Sequence, residues 1–204
     1  MTLLYLIRHG RSTWNAEGRM QGQADPPLDE VGRAQAQALA VHFKDEPIHA
    51  VYSSPLARAR ETAEILVAIH SACPSLKLDE RLMERHLGEW TGLTGDEARE
   101  RFPEDLGRNW RIDGPPGGEN QVTLVTRATA ALDSIIAAYP EETVAIVSHG
   151  GTLNAYLAHL LGIPPEKPVW FRFGNTGVAR LSVRGDHVHL LGLGDDWRLN
   201  GMRN

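Results

Sequence analysis

Two histidines in this chain stand directly after apolar runs, and each is followed by glycine. His9 comes after Arg8 near the start, and His149 comes before Gly150 far along the chain. A third apolar run leads into a Ser-Pro pair and then Arg58. Guanidinium groups bind phosphate oxygens through paired hydrogen bonds, and an imidazole can attack phosphorus as a nucleophile. Together these residue types predict a site that binds an anion such as phosphate and reacts with it.

The three apolar runs are predicted to be strands of one sheet, which would bring the reactive residues together. They cover Leu3–Arg8, Ile48–Ser53 and Thr143–Ser148, and the first is continuously apolar, as expected of a strand covered on both faces. Helical patterns separate them, and this alternation favours a mostly parallel sheet with helices on both faces. Ligands of such sheets bind beyond the carboxyl ends of the strands, where all three junctions would lie.

The helices of this alternation are predicted from apolar periodicity and from residues that cap helix ends. The predicted helices are Glu30–Phe43, Pro55–His70, Asp96–Phe102, Val122–Ala138 and Thr152–Leu161. Asp29, Ser54 and Asn120 are predicted to be N-caps, and Pro55 occupies a first helical position, where proline is favoured. Helices that follow the strands would also present free N–H groups to an anion.

The middle and the end of the chain are less regular. A strand pair is predicted at Gly177–Val183 and His187–Leu193 around the turn Arg184-Gly185-Asp186, and the last ten residues have no clear pattern. Residues 80–120 are predicted to form a short insertion over the active site, which ends in a loop rich in proline and glycine. We therefore expect one domain that spans residues 1–204.

Composition limits the classes of function. The chain has 204 residues, a net charge of −5 and one cysteine, so an internal disulfide cannot form and we expect no nucleic-acid partner. No apolar run approaches the length of a membrane span, and the first residues lack the features of a signal peptide. We therefore expect a cytoplasmic protein with no membrane partner. A homodimer is compatible with the sequence.

Five segments make the chain resemble the histidine phosphatase superfamily, which contains the cofactor-dependent phosphoglycerate mutases and many small phosphatases. The segments are Leu6-Ile7-Arg8-His9-Gly10, residues 54–59 (Ser-Pro-Leu-Ala-Arg-Ala), residues 84–90 (Glu-Arg-His-Leu-Gly-Glu-Trp), residues 116–119 (Pro-Gly-Gly-Glu) and Ser148-His149-Gly150. They occur in this order and span nearly the whole chain. The resemblance implies an α/β fold of three layers, an α/β/α sandwich with a mostly parallel central sheet.

The resemblance also implies a role for each residue of the site. His9 would be the nucleophile that takes the phosphoryl group. Arg8, Arg58 and His149 would hold the phosphoryl oxygens, and Glu84 would be the general acid. The other residues implied to contact the substrate are Asn15, Gln21, Gly22 and Gly150. The implied substrate is a small phosphorylated metabolite, and no metal or other cofactor is implied.

Three positions favour a phosphatase over a mutase. Where the mutases of the family carry a tyrosine, a lysine and a second arginine, this chain has Leu87, Gly95 and Ile112. The mutases use such groups to hold a second anionic group. We therefore expect a phosphatase for small phosphomonoesters that works through a phosphohistidine on His9, with a cofactor-dependent phosphoglycerate mutase as the alternative. A non-catalytic phosphate-binding scaffold is an alternative of a different class, which the retained His9 and Glu84 disfavour.

Other chemistries find less support in the sequence. His187 and His189 lie on one face of a late strand, but no carboxylate stands at a spacing that would complete a metal site. Cys73 has no following arginine before Arg81 and so lacks the phosphate loop of a thiol phosphatase. The aromatic residues that could line a substrate pocket are Trp90, Trp110, Trp170 and Phe171.

Overall fold

The computed structural model describes residues 1–167, 169–185 and 187–194, and it confirms the expected alternation of strands and helices. The strands are β1 (Thr2–Arg8), β2 (Ala50–Ser53), β3 (Ser75–Leu78), β4 (Thr143–Ser148), β5 (Val178–Arg184) and β6 (His187–Gly194). The α-helices are α1 (Thr13–Ala16), α2 (Glu30–His42), α3 (Ala57–Ile69), α4 (Gly95–Arg101), α5 (Trp110–Asp113), α6 (Gln121–Ala138) and α7 (Gly150–Leu160). Short 3-10 turns occupy Glu80–Leu82, Gly88–Trp90 and Pro103–Gly107.

The strands form one six-stranded sheet in the order β3-β2-β4-β1-β5-β6. Strand β4 lies at the centre, parallel to both β1 and β2, and β2 is parallel to β3. Strand β5 runs antiparallel to β1 and is paired with β6 in a hairpin. The expectation of a mostly parallel sheet is therefore confirmed. Because β1, β2 and β4 are adjacent and parallel, their carboxyl ends meet at one edge.

Each face of the sheet is covered by a pair of helices, which gives three layers. On one face, Leu4 and Leu6 of β1 pack in a core with Leu132 of α6 and Tyr156 of α7. On the other face, a second core contains residues of the same strand and of two other helices. These are Tyr5, Ile7, Leu39 of α2 and Leu66 of α3. Alternate side chains of β1 thus enter opposite cores, as the two-residue period of a strand requires.

The helix that follows β2 differs from the prediction at its start. Helix α3 begins at Ala57, and Leu56, which has no side-chain cap, occupies the N-cap position. The prediction that Ser54 caps this helix and that Pro55 is its first residue is therefore wrong. The Ser54 hydroxyl accepts a hydrogen bond from the N–H of Leu56 at 3.3 Å and also contacts the His149 ring. The predicted caps Asp29 and Asn120 are confirmed by hydrogen bonds to backbone N–H groups three residues further on.

The predicted strand pair near the end is confirmed as β5 and β6, whereas position 186 in its turn and the last ten residues lie outside the described residues. Strand β3 was not predicted from the sequence, because three of its four side chains are exposed and give no apolar pattern. No helix among the described residues is long and apolar enough to cross a membrane.

Residues 79–120 connect β3 to α6 through short turns and small helices. They carry a small apolar cluster of their own, formed by Leu87, Trp90, Leu93 and Ala98. Met20, from the loop after α1, packs against this cluster. Helix α4 is held by a capping box between Thr94 and Glu97. The segment therefore has its own packing and contributes side chains to one wall of the pocket described next.

Candidate active site

A pocket of about 240 Å³ opens at the carboxyl ends of the parallel strands. Eight of the nine residues predicted from the sequence line it: Arg8, His9, Asn15, Gln21, Gly22, Arg58, Glu84 and Gly150. The ninth, His149, is fully buried, and its ring centroid lies 5.1 Å from that of His9. The strand-end argument thus brings together residues that are up to about 140 positions apart in the chain.

His9 is oriented by the backbone next to it. Its Nδ1 lies 2.7 Å from the carbonyl oxygen of Gly10, which can only accept a hydrogen bond, so Nδ1 carries the proton and Nε2 has the free lone pair. The ring is 97% buried, and burial together with the charges of Arg58 and Arg8 holds the pKa of His9 well below its usual range. At neutral pH the imidazole is therefore neutral, as a nucleophile must be.

Close packing between the backbone at Gly10 and α2 explains why position 10 is a glycine. A Cβ added at Gly10 would lie 2.5 Å from the carbonyl oxygen of Gly32 in α2, and one added at Gly32 would lie 1.9 Å from the carbonyl oxygen of Arg11. The Gly10 N–H donates to the Thr62 hydroxyl on α3. The close approach of Gly10 is to α2, and this contact fixes the loop behind His9.

Two of the arginines that line the pocket, Arg8 and Arg58, are positioned through backbone carbonyls. Arg8 donates from Nη1 to the carbonyl of Phe173 at 2.7 Å. Arg58 is 1% exposed and donates to the carbonyls of Gly22 and Ala24 at 2.8 and 2.7 Å, while its Nε has no hydrogen-bond partner among the described residues. Burial lowers the pKa of Arg58 to about 10, so the group remains a cation at neutral pH.

His149 stands at the N-terminus of α7 and is held by the serine that was expected to cap α3. Its Nε2 lies 2.8 Å from the Ser54 hydroxyl, while its buried Nδ1 has no hydrogen-bond partner among the described residues. Burial, Arg58 and His9, in that order, hold the pKa of His149 well below its usual range. Because a buried polar atom without a partner is costly, Nδ1 is suited to meet an oxygen of a bound ligand.

Glu84 is held by the start of α7. Its carboxylate accepts hydrogen bonds from the N–H groups of Gly151 at 3.0 Å and Thr152 at 3.2 Å, and from that of Arg85 at 2.8 Å. The free N–H groups at the start of α7 therefore fix the orientation of the Glu84 side chain. The space next to Gly151 is filled by this carboxylate, since a Cβ there would lie 2.3 Å from its Oε1.

The remaining predicted residues belong to the loop around α1. Ser12 and Asn15 form a capping box at the start of α1, and the Asn15 side-chain oxygen also accepts a hydrogen bond from Asn175. The Ser12 hydroxyl donates to the side-chain oxygen of Gln21 at 2.7 Å. The following residue, Gly22, gives its carbonyl to Arg58. This loop therefore shapes the pocket and positions one of its arginines.

Several pocket residues were not assigned from the sequence. Arg85 and Gly151 lie in or next to the recognised motifs, whereas the others come from segments without one: Arg19, Met20, Arg111, Asn154 and Phe173. Of the aromatic candidates, Trp110 and Trp170 line the pocket, with the guanidinium of Arg111 stacked between their rings at 4.7 and 5.4 Å from the centroids. Trp90 lies in the small cluster of residues 79–120, and Phe171 packs against the main core.

The described residues contain no metal-binding cluster. Within residues 1–167, 169–185 and 187–194, no group of three or more His, Cys, Asp or Glu side chains could hold a metal ion. His187 and His189 lie on β6 and have partly or largely exposed surroundings, away from the pocket. The cationic side chains that line the pocket are Arg8, Arg19, Arg58, Arg85 and Arg111.

The fold and the pocket define a class: α/β proteins with paired histidines and arginines at the carboxyl ends of parallel strands. Residues 4–196 match the family model of the histidine phosphatase superfamily (branch 1). The chain belongs to this family. The resemblance seen in the sequence is thereby confirmed, and so is the expected phosphoglycerate mutase-like fold.

Relatives of the chain carry both phosphatase and mutase names. It is 41% identical over 160 residues to a metal-independent phosphoserine phosphatase of Arabidopsis thaliana. The matched stretch covers 76% of this chain and 67% of the relative. It is 34% identical over 202 residues to a probable phosphoglycerate mutase of Photorhabdus laumondii, covering 97% and 90%. A solved mycobacterial glucosyl-3-phosphoglycerate phosphatase superposes with a TM-score of 0.81 at 34% identity, covering 93% of this chain and 97% of that one.

Proposed function

We propose that the protein is a phosphatase that hydrolyses small phosphomonoesters through a phosphohistidine on His9. The observation that carries the proposal is the state of His9: a neutral ring with Nδ1 tied to Gly10 and Nε2 free, in a pocket that Arg8 and Arg58 also line. Phosphoryl transfer depends mainly on positioning and on cationic groups that stabilise the spreading negative charge. The phosphatase names of the relatives support the same activity.

In the first step, His9 Nε2 attacks phosphorus. The P–N bond forms as the bond between phosphorus and the ester oxygen breaks, and Glu84 in its protonated form gives a proton to the departing alkoxide. Arg8 and Arg58 hold the phosphoryl oxygens, and the free Nδ1 of His149 donates to one of them. Asn15 and Gly150, which also line the pocket, complete the contacts to the phosphoryl group.

In the second step, water attacks the phosphohistidine. The carboxylate of Glu84 takes a proton from this water as the new P–O bond forms and the P–N bond breaks. Inorganic phosphate leaves, and His9 returns to its neutral state with Nε2 free. The cycle uses only side chains of this chain and needs no metal.

The wall of the pocket favours hydrolysis over return of the phosphoryl group to a second oxygen. Leu87, one of the three positions that differ from the mutases, lines the pocket and presents an apolar side chain. Gly95 lies in a neighbouring cavity at the start of α4, and Ile112 lies in α5. Arg19, Arg85 and Arg111 also line the pocket, and these cations support a substrate whose leaving group carries an acidic function. A phosphoglycerate mutase is the second candidate, favoured by the names of some relatives.

A phosphoester panel followed with two readouts tests the proposal. The panel contains phosphoserine, glucosyl-3-phosphoglycerate and 3-phosphoglycerate, the last with a catalytic amount of 2,3-bisphosphoglycerate. We expect release of inorganic phosphate to exceed formation of 2-phosphoglycerate. Isomer formation well above phosphate release would identify the protein as a mutase instead.

The covalent intermediate has its own test. After rapid quenching with labelled substrate, we expect an acid-labile, base-stable label on His9, and His9→Ala should lose the label and nearly all turnover. Continued turnover of His9→Ala, or label on a serine or aspartate, would contradict the mechanism.

A further inference from the structure

An ion pair between α6 and the residue just before it makes hydrogen bonds to the backbone around Glu84. Arg127, in the second turn of α6, and Glu119, just before this helix, form a two-pronged contact: Nε to Oε1 at 3.0 Å and Nη2 to Oε2 at 2.8 Å. Neither side chain lines the pocket. We propose that Arg127, held by Glu119, is a positioning residue for Glu84. This inference rests on the proposed function, because Arg127 can assist catalysis in this way only if Glu84 is the general acid.

The contacts of Arg127 converge on the residues next to Glu84. Its Nη1 donates to the carbonyls of Arg81 and Met83, each at 2.8 Å, and its Nη2 lies 3.4 Å from the carbonyl of Glu84 itself. Guanidinium groups can bind several acceptors at once in a fixed plane, which a lysine cannot do. One side chain thus fixes the path of the backbone through three residues.

Glu119 reinforces the same segment from the other side. Its N–H donates to the carbonyl of His86 at 2.8 Å, and its Oε2 accepts from the N–H of His86 at 3.3 Å. The side chain of Glu119 is 9% exposed and that of Arg127 is 20% exposed, so water competes little for this pair. The residues on both sides of Glu84 are therefore tied to one partly buried ion pair.

The carboxylate of Glu84 is anchored separately, to the start of α7. Its backbone is anchored to α6 through Arg127, and helices α6 and α7 lie on the same face of the sheet. Proton transfer requires the carboxyl oxygen to lie within hydrogen-bond reach of the ester oxygen, and a displacement of about 1 Å can cost about 10²-fold in rate. Loosening the α6 anchor should therefore impair proton transfer specifically.

The test compares leaving groups, because an alkoxide needs a proton and p-nitrophenolate needs little. Arg127→Gln and Glu119→Gln are measured in single-turnover phosphorylation with p-nitrophenyl phosphate and with an alkyl phosphate that the unaltered protein hydrolyses. We expect a loss of about 10²-fold on the alkyl phosphate and a much smaller loss on p-nitrophenyl phosphate. A loss of folding stability alone would lower both rates by the same factor.

The matched control is Arg81→Ala. Arg81 also joins the segment before Glu84 to α6, through Ala130 and Ser134, but its side chain makes no contact to the carbonyls of Met83 or Glu84. We expect equal, small effects on both substrates. If Arg127→Gln does not fold, Glu119→Gln, which retains the arginine, tests the inference. The quantity compared is again the loss of rate on the alkyl phosphate relative to the loss on p-nitrophenyl phosphate.

Glu84→Gln separates the two possible failures. If it shows the leaving-group dependence and both variants of the pair lose equally on both substrates, the positioning role is overturned while the proposed general acid stands. If Glu84→Gln itself shows equal losses, the general-acid assignment fails and the positioning role fails with it. Leaving-group dependence in Glu84→Gln and in the pair variants, but not in Arg81→Ala, supports the inference.

Discussion

His9 and His149 show how burial sets the chemistry of single residues. Both rings lie among cations in the interior, and for both the largest cause of the lowered pKa is loss of water around the charged form. Each ring also has one nitrogen held by a neighbour, Gly10 or the Ser54 hydroxyl. The environment thus selects a neutral ring with a defined free nitrogen in both cases.

This environment predicts how stability depends on pH. In the unfolded chain both histidines take up protons below about pH 6.5, whereas in the folded protein they stay neutral to lower pH. The unfolded state then binds more protons, so the free energy of unfolding should fall as pH drops below about 6.5, by about 1.4 kcal/mol per pH unit for each ring. Above this pH the contribution of the two rings is constant. Denaturant unfolding between about pH 8 and about pH 5 measures it.

The variant His149→Asn provides the comparison. Its overall stability can change in either direction, but its slope below about pH 6.5 should be shallower by the contribution of one ring, about 1.4 kcal/mol per pH unit. An unchanged slope would mean that His149 is protonated in the folded protein.

The junction between β1 and α2 is an element-scale feature that depends on two glycines. Because a Cβ at Gly32 would meet the backbone oxygen of Arg11 at 1.9 Å, Gly32→Ala must push α2 away from the loop that follows His9. We expect a loss of about 3 kcal/mol in the free energy of unfolding, the upper part of the range for overpacked sites, together with lower phosphatase activity. Denaturant unfolding and steady-state kinetics measure the two effects.

Gly192→Ala is the control for this prediction. Gly192 lies in β6, and a Cβ there would have no heavy atom within 4 Å. We expect little change in stability or activity. If Gly32→Ala behaved like this control, the tight contact between the loop and α2 would not be important for the fold.

Elements with a strong local signal were predicted from the sequence, and those fixed by distant contacts were not. The apolar run of β4 and the Asp29 cap of α2 identify their elements without other information. Ser54 carries the same local signal as Asp29, yet its hydroxyl binds His149, which is 95 positions away. A cap and a long-range hydrogen bond use the same residue type, so only the folded structure distinguishes them.

At the scale of the whole molecule, the parallel packing of β1, β2 and β4 brings Arg8 and Arg58 to one edge of the sheet. In the proposed mechanism these two cations would supply the positive charge that phosphoryl transfer requires. We therefore expect activity to survive exhaustive dialysis against EDTA. The measurement is phosphate release before and after dialysis and after addition of Mg²⁺, Mn²⁺ or Zn²⁺. A loss that one of these ions restores would contradict the prediction.

The pocket as a whole could be predicted only in part. His9, Arg58 and Glu84, which we call the floor of the pocket, belong to motifs that occur in a fixed order in the family. Their presence in the pocket could therefore be predicted from the sequence. Its outer wall includes Met20 and Trp170, which come from loops with no such motif. Their place depends on how those loops pack, and no local pattern encodes this.

This division between floor and wall has a consequence for redesign of the protein. Arg8 and His9, which are proposed to contact the phosphoryl group, stand at the end of the central strand β1, and His9 is buried. Leu87, Trp110 and Trp170 stand on segments outside the sheet, and Trp170 is 53% exposed. Exchange of these side chains leaves the strands intact, but Leu87 and Trp110 also pack in or against the small apolar cluster of residues 79–120, so replacements there must keep an apolar side chain. New leaving groups are therefore best sought by varying these three positions, with the reaction centre left untouched.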